Sequence, residues 1–213
     1  LFVRNPTLNN FKMLFNVMGS SLVPFSKYFY NTFFITIVGT CLHVVFSTMC
    51  AYALEKLRFR GRELIFSVIV LALMFNTSVT AIPNFIIMSN LRLIDTYWSL
   101  IIPAAGAPIG LYLMKQFMEQ IPDAIIEAGR IDGLSEYRIF WSLIMPNVKP
   151  AWLTLIVFSM QSLWNTGNTI YIYDEKLKPL GYAFTQISAA GISRAGVGSA
   201  VGVVMMSVPI IVF

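Results

Sequence analysis

The chain has 213 residues, 57% of them hydrophobic and only 12% charged, with a formal net charge of +5. Soluble domains carry about 25% charged residues, so an aqueous globule of this size could not cover its apolar surface, and a soluble protein is excluded. The positive balance does not point to nucleic acid either: no Lys/Arg cluster is interleaved with aromatics on a soluble fold, and basic residues in a membrane protein set its orientation.

About 20 apolar residues cross the hydrocarbon of a bilayer, and on that length five spans are predicted. Residues 1–29 are mixed polar and aromatic. Residues 31–54 form a long run almost free of charge. Residues 64–83 form a second, closed by Pro83 after the polar group Asn76-Thr77-Ser78. The third, residues 98–117, is kinked or broken near Pro103 and Pro108, and Lys115 can snorkel at its end. The fourth covers residues 151–172, and a fifth begins near Gly196 and runs to the last residue, Phe213. Between them, residues 85–98 and 171–195 read as loops or interfacial helices facing outside. No repeat, low-complexity tract or heptad is visible.

Density of charge orients the spans. Residues 55–63 hold Lys56, Arg58, Arg60 and Arg62, and residues 115–149 hold four more basic residues, while seven others are spread thinly over the remaining segments. The two dense loops fall on one side, and that side is assigned to the cytoplasm. Cys41 and Cys50 are nine residues apart, on opposite sides of a helix; they cannot bridge each other and read as small buried hydrophobes. His43 lies in the same run with no carboxylate or thiol near it in sequence. It reads as a hydrogen-bonded interhelical residue rather than a metal ligand, although an ionisable group at this depth is also a functional candidate. The methionines and phenylalanines read as packing or lipid-facing residues.

The one strongly charged stretch between apolar runs is 127–146, EAGRIDGLSEYRIFWSLIMP. Pro122 suits the first position of a helix, where a missing N–H is no loss, and Asp123 and Glu127 put negative charge near its positive end. That helix is expected to run to about Ile131. Ile121, Ala124, Ile125, Ala128 and Ile131 form its apolar stripe, with Asp123, Glu127 and Arg130 opposite. Gly133 supplies the positive φ of a helix stop and Ser135 an N-cap. Tyr137, Phe140, Trp141 and Ile144 continue a helical period that Pro146 ends. The product is an amphipathic helix–Gly–helix element hung between spans, able to dock as one body on a partner.

Glu127-Ala128-Gly129, then three residues and Gly133, then nine more and Leu143-Ile144-Met145-Pro146, resembles the EAA loop of binding-protein-dependent ABC importers. NTFF at Asn31, AYALEKLRFRGR from Ala51, LRLIDTYWSLIIP from Leu91, IPDAIIEAGRIDG from Ile121 and Trp164-Asn165 are similar to the carbohydrate branch, whose permeases are like the smaller membrane subunit of the maltose importer. The resemblance covers nearly the whole chain. Gly129 departs from the usual Ala and should loosen the helix by roughly 1 kcal/mol; Leu134 stands where Ala is common.

The resemblance implies an all-α polytopic bundle of the type I importer permease fold, one transmembrane domain over residues 1–213 with its coupling loop at 118–149. It places a further span before residue 1, so the chain reads as five of six spans, incomplete at both ends. It implies no cofactor on this chain, ATP and Mg being held by a dimer of partner ATPases. A second permease, an extracytoplasmic solute-binding protein and a sugar or oligosaccharide substrate complete the expected partners, in a bacterial or archaeal cell membrane. Glu127, Ala128, Gly129, Asp132, Gly133, Leu134 and Pro146 become the residues that couple the permease to the ATPase.

An enzyme reading fails on inventory, since the sequence has no Gly-x-x-x-x-Gly-Lys-Ser/Thr phosphate loop, no His/Cys metal spacing and a single His. Read without the resemblance, the acids Asp123, Glu127, Asp132 and Glu136 are equally a solvated face with caps. Thr154, Gln161, Asn165 and Asn168 lie near one face of the fourth span, with Trp164 beside them. They are either interhelical hydrogen-bonding groups or a sugar pathway of amides and a stacking ring; Asn76 is a weaker candidate of the same kind. Two rivals remain: an importer permease for a non-sugar solute, and a secondary transporter or channel without an ATPase. The second needs an acidic residue in the membrane, and the predicted spans hold none.

Overall fold

The computed structural model describes residues 10–13, 23–75, 77–167, 170–189 and 195–212. Among them every regular element is helical. The first long helix, α1, is Phe25–Lys56, 32 residues without a break. Arg62–Met74 (α2) and Thr77–Asn90 (α3) follow, then Trp98–Ala105 (α4) and Pro108–Glu119 (α5). Asp123–Ile131 is α6, and α7 begins at Glu136–Ile139 and continues through a π turn, Phe140–Ile144, to Met145–Asn147. Lys149–Trp164 (α8), Leu180–Ala189 (α9) and Ala195–Val212 (α10) complete the order.

By length and apolar composition, α1 and the segment Trp98–Glu119 each suffice to cross a membrane, and counting two bent helix pairs as spans raises the number to four. Gly196–Ile211 is a shorter apolar helix. None of the residues of α2 is buried. A helix apolar on every side and uncovered by its own chain needs lipid or another subunit around it.

Three expected boundaries move. The second run does not close at Pro83: the chain breaks at Phe75, whose ψ of 129° is extended, the two helices bend by 114°, and Pro83 sits inside α3. In α4–α5 the break falls at Gly106–Ala107, and Pro108 opens α5, where its lack of an N–H is harmless. The fourth run ends its helix at Trp164 rather than near Ile172. Asn165 there turns its side-chain amide back to donate to the Gln161 carbonyl, 2.9 Å away, which takes up a terminal acceptor of the helix.

Pro146 does not end its helix either. Ahead of it the helix widens, and the Met145 N–H reaches back five residues to Phe140 O, so the proline enters where the regular bonding pattern is already relaxed. Asn147 Nδ2 donates to Leu143 O at 2.6 Å and Trp152 Nε1 to Met145 O at 3.1 Å, serving carbonyls the turn leaves open. The stop comes at Val148 (φ −95°, ψ 21°), and α8 leaves at 81° to the preceding helix.

The chain forms two compact units. One comprises Leu1–Val38, Phe85–Ile101 and Met160–Phe213. Its core gathers Tyr28, Trp164, Leu180, Ile187, Val201 and Met205. Asn31, wholly buried, donates from Nδ2 to the carbonyls of Lys176 (2.8 Å) and Lys178 (2.9 Å) and accepts at Oδ1 from the Tyr97 hydroxyl (2.8 Å). Beside it the Leu180 N–H donates to Thr32 Oγ1 at 2.6 Å. Asp95, at φ 59°, accepts the N–H groups of Tyr173 and Asp174 at 2.6 and 2.8 Å.

The other unit is Gly39–Asn84 and Ile102–Ser159. Ala51, Tyr52, Met114, Ile126, Ile139 and Leu155 are among its core residues. His43 Nε2 donates to the carbonyl of Ala107, the residue that caps α5 (3.2 Å), and Nδ1 meets Ser159 Oγ at 3.1 Å. The histidine therefore joins α1, α8 and the broken helix, as its interhelical reading expects. The cysteines differ from expectation. Both are free and exposed on α1 rather than buried, and the buried positions of that helix include the polar Thr40, His43, Ser47 and Thr48.

Candidate functional site

The helix–Gly–helix element is present as α6, a turn and α7. Pro122 (φ −60°, ψ 134°) caps α6 from outside, and Asp123 takes the first helical position. That moves Pro122 one place from its expected position. Gly133 adopts φ 77°, and its N–H and that of Leu134 donate to Arg130 O and Gly129 O, both at 3.0 Å, a helix stop of the Schellman kind. Ser135 caps α7 by accepting from the Arg138 N–H.

The faces of α6 are not those of the expected stripe. Ile126 and Gly129 are buried and Ile125 half-buried, whereas Ala124, Glu127, Ala128 and Ile131 are exposed, Ile131 at 86%. Positions 124, 127, 128 and 131 form one helical stripe, so a carboxylate, two small side chains and an isoleucine lie together on the open face. The expectation failed because a nine-residue helix has little room to define a phase, and small alanines mark neither side. Glu127 makes no hydrogen bond or ion pair among the described residues, and it lines a cavity of about 290 Å³ with Lys56, Arg58, Asp123 and Arg130. Asp132 and Pro146 are exposed as well. Gly129 points inward: a Cβ there would stand 2.8 Å from Leu143 Cδ1 and 3.3 Å from Ile139 Cγ1, so its closeness is to α7. Leu134 is half-buried against the core of its own unit.

Two attachments hold this element, and the sequence reading missed both. Lys56, at the last turn of α1, donates to Asp123 Oδ1 at 2.8 Å and to the Ile121 carbonyl at 2.6 Å. One turn earlier, the Tyr52 hydroxyl donates to Glu136 Oε2 at 2.8 Å, while Arg130 Nε donates to Glu136 Oε1 at 2.7 Å. Lys56 beside Asp123 holds that carboxyl below the usual carboxylate range, and Arg130, then Tyr52, do the same for Glu136. The available signal was the spacing of Tyr52 and Lys56, four apart and so on one face of α1. Nothing in the sequence named the acids opposite.

The second group of candidates is divided. Gln161 and Asn165 are exposed, and Thr154 is exposed with its hydroxyl donating to Pro150 O at 2.8 Å. Trp164 is wholly buried: its Nε1 donates to Met205 O at 2.8 Å and Phe29 meets it edge-on, centroids 5.8 Å apart. It packs as core here and offers no face to a sugar. Asn76 and Asn168 lie outside the residues whose side chains are described.

The hairpin thus presents an open face, and comparison with known proteins bears on what the chain belongs to. Residues 43–213 match the family described as the binding-protein-dependent transport system inner membrane component. The chain belongs to that family. As an inner membrane component it is a multi-pass membrane protein, in keeping with its spanning helices. It is similar to Protein LplC of Bacillus subtilis (strain 168), 32% identical over 88% of this chain and 62% of that protein. It is also similar to the arabinooligosaccharides transport system permease protein AraQ of Halalkalibacterium halodurans, 33% identical over 75% of this chain and 56% of that one. The chain thus spans less than two thirds of the length of either relative. The crystal structure of a bacterial ABC transporter involved in the import of the acidic polysaccharide alginate contains a chain of the same fold, with a TM-score of 0.79 and 26% identity over 93% of this chain and 75% of that one.

Proposed function

We propose that this inner membrane component is a permease subunit of an ATP-driven importer for a sugar or oligosaccharide, and that the α6–α7 hairpin is its handle for the ATPase. Support for the carbohydrate comes from the relatives: one is named for arabinooligosaccharides, and the alginate transporter carries a polysaccharide. The observation that carries the coupling role is the open stripe Ala124, Glu127, Ala128 and Ile131 on a helix whose other side is locked into the core. Small residues allow close approach, Ile131 provides apolar area, and the unpaired Glu127 provides a charge-assisted contact. Asp132 and Gly133 shape the turn, Gly129 and Leu134 brace it from within, and Pro146 lies at the widened turn that leads into α8.

In this reading the chain works beside a second permease, a pair of ATPase subunits that hold ATP and Mg, and an extracytoplasmic solute-binding protein. Closure of the ATPase pair on nucleotide moves the hairpin as a body, and the helices swing between two packings. Gln161 of α8 and Asn165 just beyond its end, both exposed amides, are the groups we assign to the solute path, with Asn76 and Asn168 as further candidates. The test is Glu127→Ala in the assembled transporter. Retention of the ATPase on the membrane, or stimulation of its hydrolysis by solute-loaded binding protein, should fall by an order of magnitude or more, with the permease still inserted. Unchanged retention and stimulation would refute the handle.

A further inference from the structure

The hairpin is fastened to α1 at two points, one on each of its helices. Lys56 holds the start of α6 through Asp123 and the Ile121 carbonyl, and Tyr52 holds the start of α7 through Glu136. A single contact would act as a pivot. Two, four residues apart on α1 and on different helices of the hairpin, fix its orientation. The donors sit on the core side of the junction: the Lys56 side chain is only 3% exposed, although its partner Asp123 is 64% exposed, and the Tyr52 ring packs against Phe140 with centroids 5.3 Å apart. Glu136 is shared with Arg130 of α6, so one carboxylate joins α1, α6 and α7.

We propose that Tyr52 and Lys56 are positioning residues that transmit displacement of the hairpin to α1, a helix not continuous with it in the chain. The hairpin adjoins only α5 and α8 in sequence; Tyr52 and Lys56 join it to α1 directly, beside the core packing that these helices share. With the two fastenings α1 moves with the hairpin. This inference rests on the coupling role proposed above. Loss of the Tyr52 hydroxyl or the Lys56 ammonium weakens the transmission and leaves Ala124, Glu127, Ala128 and Ile131 in place.

The experiment uses the assembled transporter in lipid nanodiscs, with a spin label on Cys41 in a Cys50→Ala background. Cys41 is exposed on α1, about three turns from the fastening. Spectra are compared without nucleotide and after trapping with Mg-ATP and vanadate. The label should respond to trapping in the otherwise unaltered protein. In Tyr52→Phe/Lys56→Met the response should fall at least about twofold while nucleotide is still trapped, and Lys56→Arg, which keeps a donor for both acceptors, should restore it. Tyr52→Phe alone, which removes one oxygen, serves if the double variant does not assemble, and should give a partial loss. A full response in these variants, with or without a lower melting temperature, means the contacts are merely structural and overturns the proposal. So does a label that never responds although nucleotide is trapped. Failure of the unaltered assembly to bind an ATPase or trap nucleotide refutes the coupling role itself, and this inference with it.

Discussion

Gly110 gives α5 room to lie against α1. A Cβ there would overlap His43 Nε2 and come within 2.6 Å of Ser47 Oγ, displacing the ring that bonds Ala107 O and Ser159. Gly110→Ala should therefore destabilise the protein by about 1–3 kcal/mol, the usual range for forcing a methyl group into a packed core. Gly106→Ala is the control, since a Cβ there meets nothing nearer than 3.7 Å and the change should stay within about 0.5 kcal/mol. Thermal unfolding of the two variants in detergent checks this, and equal midpoints would show that the His43 junction is soft. The bonded role of His43 was legible because a lone histidine in an apolar run has to find partners. Gly110 was not, because the demand for a missing side chain comes from a helix some 60 residues away in sequence. For Trp164 the sequence left packing and a stacking face both open, because spacing sets it beside two amides and only packing shows the ring turned into the core.

At the level of elements, the hairpin was legible in its turn and its caps, which are local: Gly133 has the positive φ and Ser135 makes the cap bond. Its inward face and its fastening to α1 were not, because they depend on what α1 presents. The break between α2 and α3 was also out of reach of the pattern. Hydropathy continues through it, while the backbone turns extended at Phe75. The fastening has a pH dependence whose sign follows from its acids. Asp123 and Glu136 are both depressed in the folded state, by Lys56 and by Arg130 respectively. A carboxyl with a lowered folded pKa stabilises the fold above its unfolded value, about 4, and that contribution is lost as pH falls through the folded pKa. Amide hydrogen exchange over residues 123–139, corrected for intrinsic rate, should be flat between pH 8 and pH 5 and should speed up below about pH 4. In Lys56→Met/Arg130→Met, with Asp123 released and Glu136 left only the Tyr52 hydroxyl, the same amides should exchange faster at neutral pH and gain less on acidification than in the parent. An acid step as large in the variant as in the parent would assign the loosening to other groups.

For the whole molecule, charge density in the sequence and contacts in the structure group the same loops, by independent routes. The basic loop after α1 was assigned to one side together with the hairpin on charge alone, and Lys56 joins the two by an ion pair. Segments 85–98 and 171–195 were assigned to the opposite side on sparse charge, and Asp95 and Asn31 tie part of the latter down within their own unit. The sequence reading puts the two sets of loops on opposite faces of the membrane, and that is testable. In a background with Cys41 and Cys50 replaced by Ala, a cysteine at Arg60 should react with a membrane-impermeant maleimide only in inside-out vesicles, and a cysteine at exposed Tyr173 only in right-side-out ones. Arg60 is one of four basic residues between 55 and 63, and each resists transfer to the outer face under the inward-negative potential by about 2.3 kcal/mol per 100 mV. Neutralising Arg58, Arg60 and Arg62 together should therefore give a measurable fraction of chains with Tyr173 labelled from the wrong side, while Lys56, engaged with Asp123, is left in place. A fixed labelling pattern in that triple variant would mean that packing of the helices, rather than loop charge, sets the orientation.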